Sequence, residues 1–254
     1  MKLFNIIWQD VYNVMILAMT IITAVSAYVS KSQQLIIAAA IAIATALAVD
    51  AVINYAKTKK FDFSWKSPIV SGFIIALVLS TNKVYVIAVA AALAIVLKHI
   101  IRFEGKHIFN PANLALAIVP LILPASQGWA GSVIWWLPIL LGLAVIYRLK
   151  RLELPATFLL VYLGLTTLSP FIFYHSASQV GIIASLASQS AAYFFGFFML
   201  TEPKTSPDTQ RGRVAFGIIA AVTAFALSFA LPQYNFVLSL VVADLFVSAI
   251  NRFT

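Results

Sequence analysis

Apolar runs separated by short polar turns fill the chain from residue 11 to residue 250. Ten are delimited: Val11–Ser30, Gln33–Ile53, Ser67–Ser80, Val84–Ile101, Pro111–Pro124, Val133–Tyr147, Leu154–Ser169, Gln179–Leu200, Val214–Leu231 and Asn235–Ile250. A helix needs about 20 residues to cross the hydrocarbon of a bilayer, so most of these runs read as transmembrane helices. Ser67–Ser80 and Pro111–Pro124 are too short to cross comfortably, and Val133–Tyr147 is their analogue in the second half. Such runs are expected to be broken, re-entrant or enclosed helices, because backbone groups freed at that depth must find partners inside the protein.

The sharpest change of pattern lies between the eighth and ninth runs. The aromatic stretch Gly196–Leu200 stops at Thr201-Glu202-Pro203-Lys204-Thr205-Ser206-Pro207-Asp208-Thr209-Gln210-Arg211-Gly212-Arg213, and a new apolar run begins at Val214. Pro203 and Pro207 cannot continue a helix, since each removes an N–H and crowds the preceding turn. The stretch therefore reads as a rigid turn. A weaker echo occurs in the first half, where Gly72–Leu79 breaks at Ser80-Thr81-Asn82-Lys83. Paired interruptions in the two halves of a membrane chain are a pointer to a site.

Composition fixes the solvent. Hydrophobic residues make up 62% of the chain and charged residues 10%, against about 25% charged in ordinary globular domains. The mean hydropathy is +0.98. A single integral membrane domain over 1–254 is expected. Cysteine is absent, which excludes disulfides and thiolate-ligated zinc or iron–sulfur clusters. The three histidines, His99, His107 and His175, are too scattered in sequence for a histidine metal site. Met1–Asp10 lacks the basic start and small-residue cleavage site of a signal peptide.

The net charge of +9 does not point to nucleic acid, because its bases flank apolar runs. With ten passes and a cytoplasmic N-terminus, every Lys and Arg except Lys31 and Lys83 falls on the inner side. That is the positive-inside bias. It predicts cytoplasmic N- and C-termini, an inner-membrane location and anionic headgroups as the neighbours of the bases. A cut near Gln127 leaves five runs in each half, about 1–126 and 127–254. An odd number inverts the second half against the first, so two inverted five-helix repeats are expected.

Few residues can carry chemistry. Asp50 and Asp244 are the acids deepest in apolar runs, where a lone charge costs at least about 2.5 kcal/mol on insertion scales. Both are candidates for an ion pathway, with an end-of-helix acid reaching the headgroups as the other reading of Asp50. Asn54, one turn beyond Asp50, shares its face. Phe109-Asn110-Pro111-Ala112-Asn113 opens the fifth run with a good cap and a proline at the first helical position. Asn113 is a second polar group one turn further in. With Lys98, Arg102, Lys106 and His107 upstream, this helix start is also a candidate anion site. Thr201, Glu202, Pro203, Lys204, Arg211 and Arg213 are the candidates in the turn. Ser176, Ser178, Ser185, Ser188 and Ser190, with Gln179 and Gln189, make the eighth run polar and suit helix packing in lipid. No dinucleotide, Walker, nucleophile-elbow or zinc-protease motif occurs, so any catalysis would rest on a bound cofactor.

Several of these stretches resemble one known family. Gly72–Leu79, followed by Lys98, Gly105 and Phe109-Asn110-Pro111-Ala112, is similar to its apolar "TGLLLAL" helix and "GK…NPA" run. Trp136–Glu153 with Leu154-Pro155-Ala156 is similar to its "LLGGLYLL…RIPLAF" region, and Gly196–Gly217 to its "FGAFFMATDPVTSP…GR…FG" signature, with Thr201-Glu202-Pro203 where the family has "TDP". The family comprises the RnfD membrane component of the Rnf electron-transport complex and the NqrB component of the sodium-pumping NADH:quinone reductase.

The resemblance implies an all-α fold of about ten transmembrane helices in two inverted repeats, urea-channel-like, and a flavin-carrying member of a redox-driven cation pump. It also implies other membrane proteins of that complex as partners. Family members carry FMN covalently on the last threonine of a Ser/Thr-Gly-Ala-Thr motif, after the "NPA" helix. That region is here only Ala125-Ser126-Gln127-Gly128-Trp129-Ala130-Gly131-Ser132, and no Gly-Ala-Thr occurs in the chain. A non-covalent flavin (riboflavin or FMN) is expected in place of a covalent one, with Asn110, Pro111, Asn113 and the 201–213 turn as its contacts. The alternative is a channel or carrier for a small solute or ion that keeps the fold without the redox role.

Overall fold

The computed structural model describes residues 10–60, 65–103, 106–174 and 189–253. It divides into two compact units, Met1–Val133 and Ile134–Thr254. The serines at 176, 178, 185 and 188, together with His175 and Gln179, lie outside the described residues.

Unit 1 contains α1 (Val11–Val29), α2 (Gln33–Thr58), α3 (Lys66–Val78), α4 (Val84–Ile100) and α5 (Pro111–Ile122). Asp10 starts α1 by accepting the Tyr12 N–H at 2.9 Å, and Ser32 starts α2 by accepting the Leu35 N–H. Both serve donors that have no partner inside the helix. The two helices, 19 and 26 residues long, are long and apolar enough to cross a membrane. They present residues such as Ile36 and Val52 outward and keep alanines inward, including Ala42 and Ala46 at 0% exposure.

The short helix α3 is enclosed on all sides. Its 13 residues rise only about 20 Å, well short of a hydrocarbon core of about 30 Å. Every residue from Val70 to Val78 is buried. A helix apolar all round belongs inside a bundle, and Gly72 lets it come close: a Cβ there would stand 2.8 Å from the Ile43 backbone of α2.

The chain leaves α3 as strand β1 (Leu79–Ser80), which pairs antiparallel with β4 (Ser126–Gln127) after α5. Gly128 N donates to Val78 O at 2.8 Å, and Thr81 Oγ1 donates to Pro124 O at 2.8 Å. The interruption thus finds its hydrogen bonds within the protein, as non-helical backbone at membrane depth requires. A second two-stranded pair, β2 (Arg102–Phe103) with β3 (Lys106–His107), turns the chain between α4 and α5. A single 3-10 turn at Ala130–Ser132 closes the unit.

Unit 2 contains α6 (Trp136–Leu149), α7 (Glu153–Tyr174), α8 (Ser190–Phe194), α9 (Gln210–Ala230) and α10 (Asn235–Phe253). Helix α8 widens into a π-turn over Phe195–Met199, with Leu200 N donating to Phe195 O at 3.0 Å. Residues Ala192–Thr201 are all buried. Gly142 admits Phe197, since a Cβ at 142 would lie 2.5 Å from that side chain. The ninth apolar run was expected to start at Val214; α9 starts four residues earlier because Thr209 Oγ1 accepts the Gly212 N–H at 3.0 Å. Helices α9 and α10, at 21 and 19 residues, have membrane-crossing length and hydropathy.

The same four pairings recur inside each unit. The first helix packs on the interrupted third, the second on the third and the fourth, and the fourth on the fifth. In each unit the interrupted helix is also the most completely buried one.

Candidate functional site

The expected site residues fall into one group in each unit. In unit 1, Asn110 caps α5: its Oδ1 accepts the Asn113 N–H at 3.0 Å, and Pro111 occupies the first turn. The capping reading of these two residues is what the structure shows. Asn113 lies at 0% exposure, a carboxamide one turn inside an apolar helix among Ala112, Ala115 and Leu116, all equally buried.

Asp50 is more deeply engaged than an acid reaching for headgroups. It is 2% exposed, and its Oδ1 lies 3.1 Å from Lys98 Nζ and 3.0 Å from His99 Nε2. Asn54 Nδ2 donates to Oδ2 at 2.8 Å and to the Asp50 carbonyl at 2.9 Å. On the far side of the imidazole, Lys57 Nζ lies 3.3 Å from Nδ1. The buried His107 contributes Nδ1 at 3.1 Å from the Lys98 carbonyl, fastening the β2–β3 turn to the end of α4.

The sequence offered Lys98 to a candidate anion site before Asn110 and His99 only as one of three scattered histidines, and neither as a partner of Asp50. They stand 48 and 49 positions from Asp50, so only the α2–α4 packing brings them to it. The signal was a Lys-His pair closing an apolar run, on a helix able to face the acid.

In unit 2, the 201–213 turn is anchored as the two prolines suggested. Thr201, Thr205 and Ser206 are buried. Thr201 Oγ1 donates back to Phe197 O at 2.7 Å, and the Thr205 and Ser206 N–H groups both close on Glu202 O. Arg213 pairs with Glu153 and donates to Asp208 O at 2.7 Å. Asp208 N in turn donates to Asn251 Oδ1 at 3.1 Å.

Arg151, which the sequence offered only as a flanking base, donates to Ser206 Oγ. Burial, reinforced by the like charge of Arg213, holds its guanidinium below the ordinary arginine range. Lys204 and Arg211 are exposed, while Glu202 and Pro203 are half-buried.

Deeper in unit 2, Asp244 is 1% exposed in the middle of α10. An aromatic core in unit 2 was not singled out by sequence. Phe158, Tyr162, Phe195 and Phe236 pack with ring centroids 5.1–6.3 Å apart. The Tyr162 hydroxyl accepts from Asn235 Nδ2 at 3.3 Å and donates to Gln189 Oε1 at 3.2 Å.

A pocket of about 500 Å³ opens in unit 1 where α3 breaks. Its polar lining comes from Ser30, Ser32, Gln34, Ser80, Thr81 and Asn82. No cluster of three or more His, Asp or Glu that could hold a metal ion occurs among the described residues.

Membrane-length apolar helices flanking short, enclosed and interrupted ones define an integral membrane protein of the broken-helix kind. The sequence profile described as the NQR2, RnfD, RnfE family matches the chain twice, over residues 6–134 and 124–254. The chain belongs to that family, and as a member it is a membrane subunit of the Rnf/Nqr type. No curated protein matches it in sequence.

Proposed function

We propose that the chain holds a flavin non-covalently and couples electron transfer to movement of Na⁺ or H⁺ within a larger membrane electron-transport complex. The match to the family in both halves carries this reading. The two halves are read as inverted repeats, urea-channel-like, in the inner membrane with both termini cytoplasmic. The like order of helix packing within each unit supports the repeat.

The flavin is riboflavin or FMN, and it supplies the one- or two-electron chemistry that these side chains lack. Within each unit taken by itself, the residues present fit such a group in part. Asn113 is a buried carboxamide of the type that meets the polar edge of a ring, and Thr201 and Glu202 follow the buried aromatic run Phe194–Phe198. Asn110 and Pro111 hold the helix start that carries Asn113. Pro203 fixes the turn, Lys204 and Arg211 are exposed cations suited to a phosphate, and Arg213 is tied to Glu153. Asp50 in unit 1 and Asp244 in unit 2, each a buried acid in an apolar helix, are each taken as an ion-pathway residue within its own unit.

Purification in mild detergent tests the reading. Flavin absorbance that leaves with the small-molecule fraction on denaturation is the expected result; no flavin, or flavin that stays on the polypeptide, overturns it. A second reading, a channel or carrier without redox role, is favoured by the hydroxyl- and amide-lined pocket of unit 1 and by the missing Gly-Ala-Thr. Solute uptake into flavin-free liposomes would support it.

A further inference from the structure

Arg151 is a half-buried cation without a counter-ion among the described residues. Its guanidinium makes one bond there, to the neutral Ser206 hydroxyl. The nearest acid in sequence, Glu153, is taken by Arg213. Asp208 acts on Arg151 only as a charge at longer range, and Arg213 stands close enough to act on it as a like charge. Arginines removed from water are ordinarily paired, and a guanidinium carries five N–H donors. All but the one given to Ser206 meet no acceptor among the described residues.

Two buried hydroxyls stand beside it. Ser206 and Thr205 are 4% and 3% exposed. Ser206 Oγ accepts from Arg151, so its own O–H is left to donate elsewhere, and neither it nor Thr205 Oγ1 has an acceptor among the described residues. The backbone here is satisfied, because the Thr205 and Ser206 N–H groups close on Glu202 O. Only the side-chain donors are left over.

The place suits an anion. Helix α9 begins here at Gln210, and α10 ends close by, with Asp208 N bonded to Asn251 and Gly212 set against Ile250. Both helices are of membrane-crossing length, and the ends of such helices stand at headgroup depth. Residues 148–153 and 201–213 hold six bases and three acids, so positive charge is in excess around the unpaired guanidinium.

We propose that Arg151, Thr205 and Ser206, with the unused Nη2 of Arg213, form a binding site for a phosphate group. A guanidinium fork meets two phosphate oxygens at once, and the two hydroxyls can donate to others. A metal cation is repelled by the two guanidinium groups. The phosphate of a lipid headgroup and a free phosphate ion offer the same oxygens, and the experiment separates these two sources. The proposal does not rest on the flavin reading, and neither probe carries a flavin, so each can fail while the other stands.

The full chain, stripped of lipid in detergent, is titrated in separate arms with short-chain phosphatidylglycerol, followed by native mass spectrometry, and with labelled inorganic phosphate, followed by equilibrium dialysis. One equivalent of at least one probe should bind. Its affinity should fall at least about tenfold in Arg151→Gln, the loss expected when hydrogen bonds to a charged group are removed. Arg252→Gln, which removes an exposed base near the end of α10, should bind as wild type does.

Arg151→Lys keeps the charge without the planar fork; a severalfold loss there decides the matter should Arg151→Gln not fold. Binding of phosphatidylglycerol alone makes the source a headgroup, and binding of the free ion alone makes it soluble phosphate. No binding of either probe, binding unchanged in both Arg151 variants, or an equal loss in Arg252→Gln would each overturn the proposal.

Discussion

Gly128 lies directly against Ser80: a Cβ at position 128 would stand 2.7 Å from the Ser80 Cβ. The contact closes the β1–β4 pair that receives the backbone leaving α3. Gly128→Ala must therefore push the strands apart or tilt Ser80, and overpacking of this kind costs about 1–3 kcal/mol. A lower thermal midpoint in detergent is expected, together with faster amide exchange at Leu79 and Ser80. Gly164, where an added Cβ meets nothing within 4 Å, is the control position, and Gly164→Ala should be near neutral in stability.

Asp50 and Lys98 should behave as a buried pair. Removing one charge strands the other, which costs about 3–5 kcal/mol. Asp50→Asn is expected to destabilise strongly, because Lys98 is then left without its carboxylate. Lys98→Met should cost less, since His99 and Asn54 remain on Asp50. The double variant should recover part of the loss, as paired removal of buried charges often does. A thermal-unfolding double-mutant cycle measures the coupling; strict additivity would contradict the pairing.

Tyr162→Phe removes a hydroxyl that joins Asn235 at the start of α10 to Gln189 before α8. The ring stack survives and the polar link does not. Hydrogen bonds between membrane helices are worth about 0.6–2 kcal/mol, and a loss in that range is expected. Asn235→Ala in the Tyr162→Phe background should add only the loss of the bond that Asn235 Oδ1 accepts from the Phe236 N–H.

Asp10, outside the spanning segments, has its carboxyl held below the usual range, first by the hydrogen bond from Lys66. A depressed folded value contributes stability above the unfolded value of 3.8 and loses it as pH falls through the folded one. The Asp10 side chain is 38% exposed, so screening keeps the effect well under about 1 kcal/mol. Wild type and Lys66→Met should differ slightly in midpoint at neutral pH and converge as pH drops below that range.

Class and interruption were legible because both are written locally. Apolar runs of helical length, prolines at 203 and 207, and the Asn110-Pro111 start each act on their own neighbourhood. Of the environment of Asp50 only Asn54 was legible, because Lys98 and His99 stand 48 and 49 positions away on α4 and reach the acid only through the packing of α2 on α4. The aromatic core around Tyr162 was hidden for the same reason: in a chain this rich in Phe, no periodicity separates a central ring from a lipid-facing one. The early start of α9 was missed because Gln210–Arg213 is polar, yet a capped first helical turn can be polar throughout.

Electron flow that drives an ion through this protein is the central claim. Ion uptake should be measured in proteoliposomes carrying the whole complex that copurifies with the chain, with and without an electron donor, for wild type and Asp244→Asn. Donor-dependent uptake that falls at least tenfold in the variant, with the chain itself still assembled, is the predicted result. Uptake at the same rate without a donor would contradict the claim and leave a channel or carrier in its place.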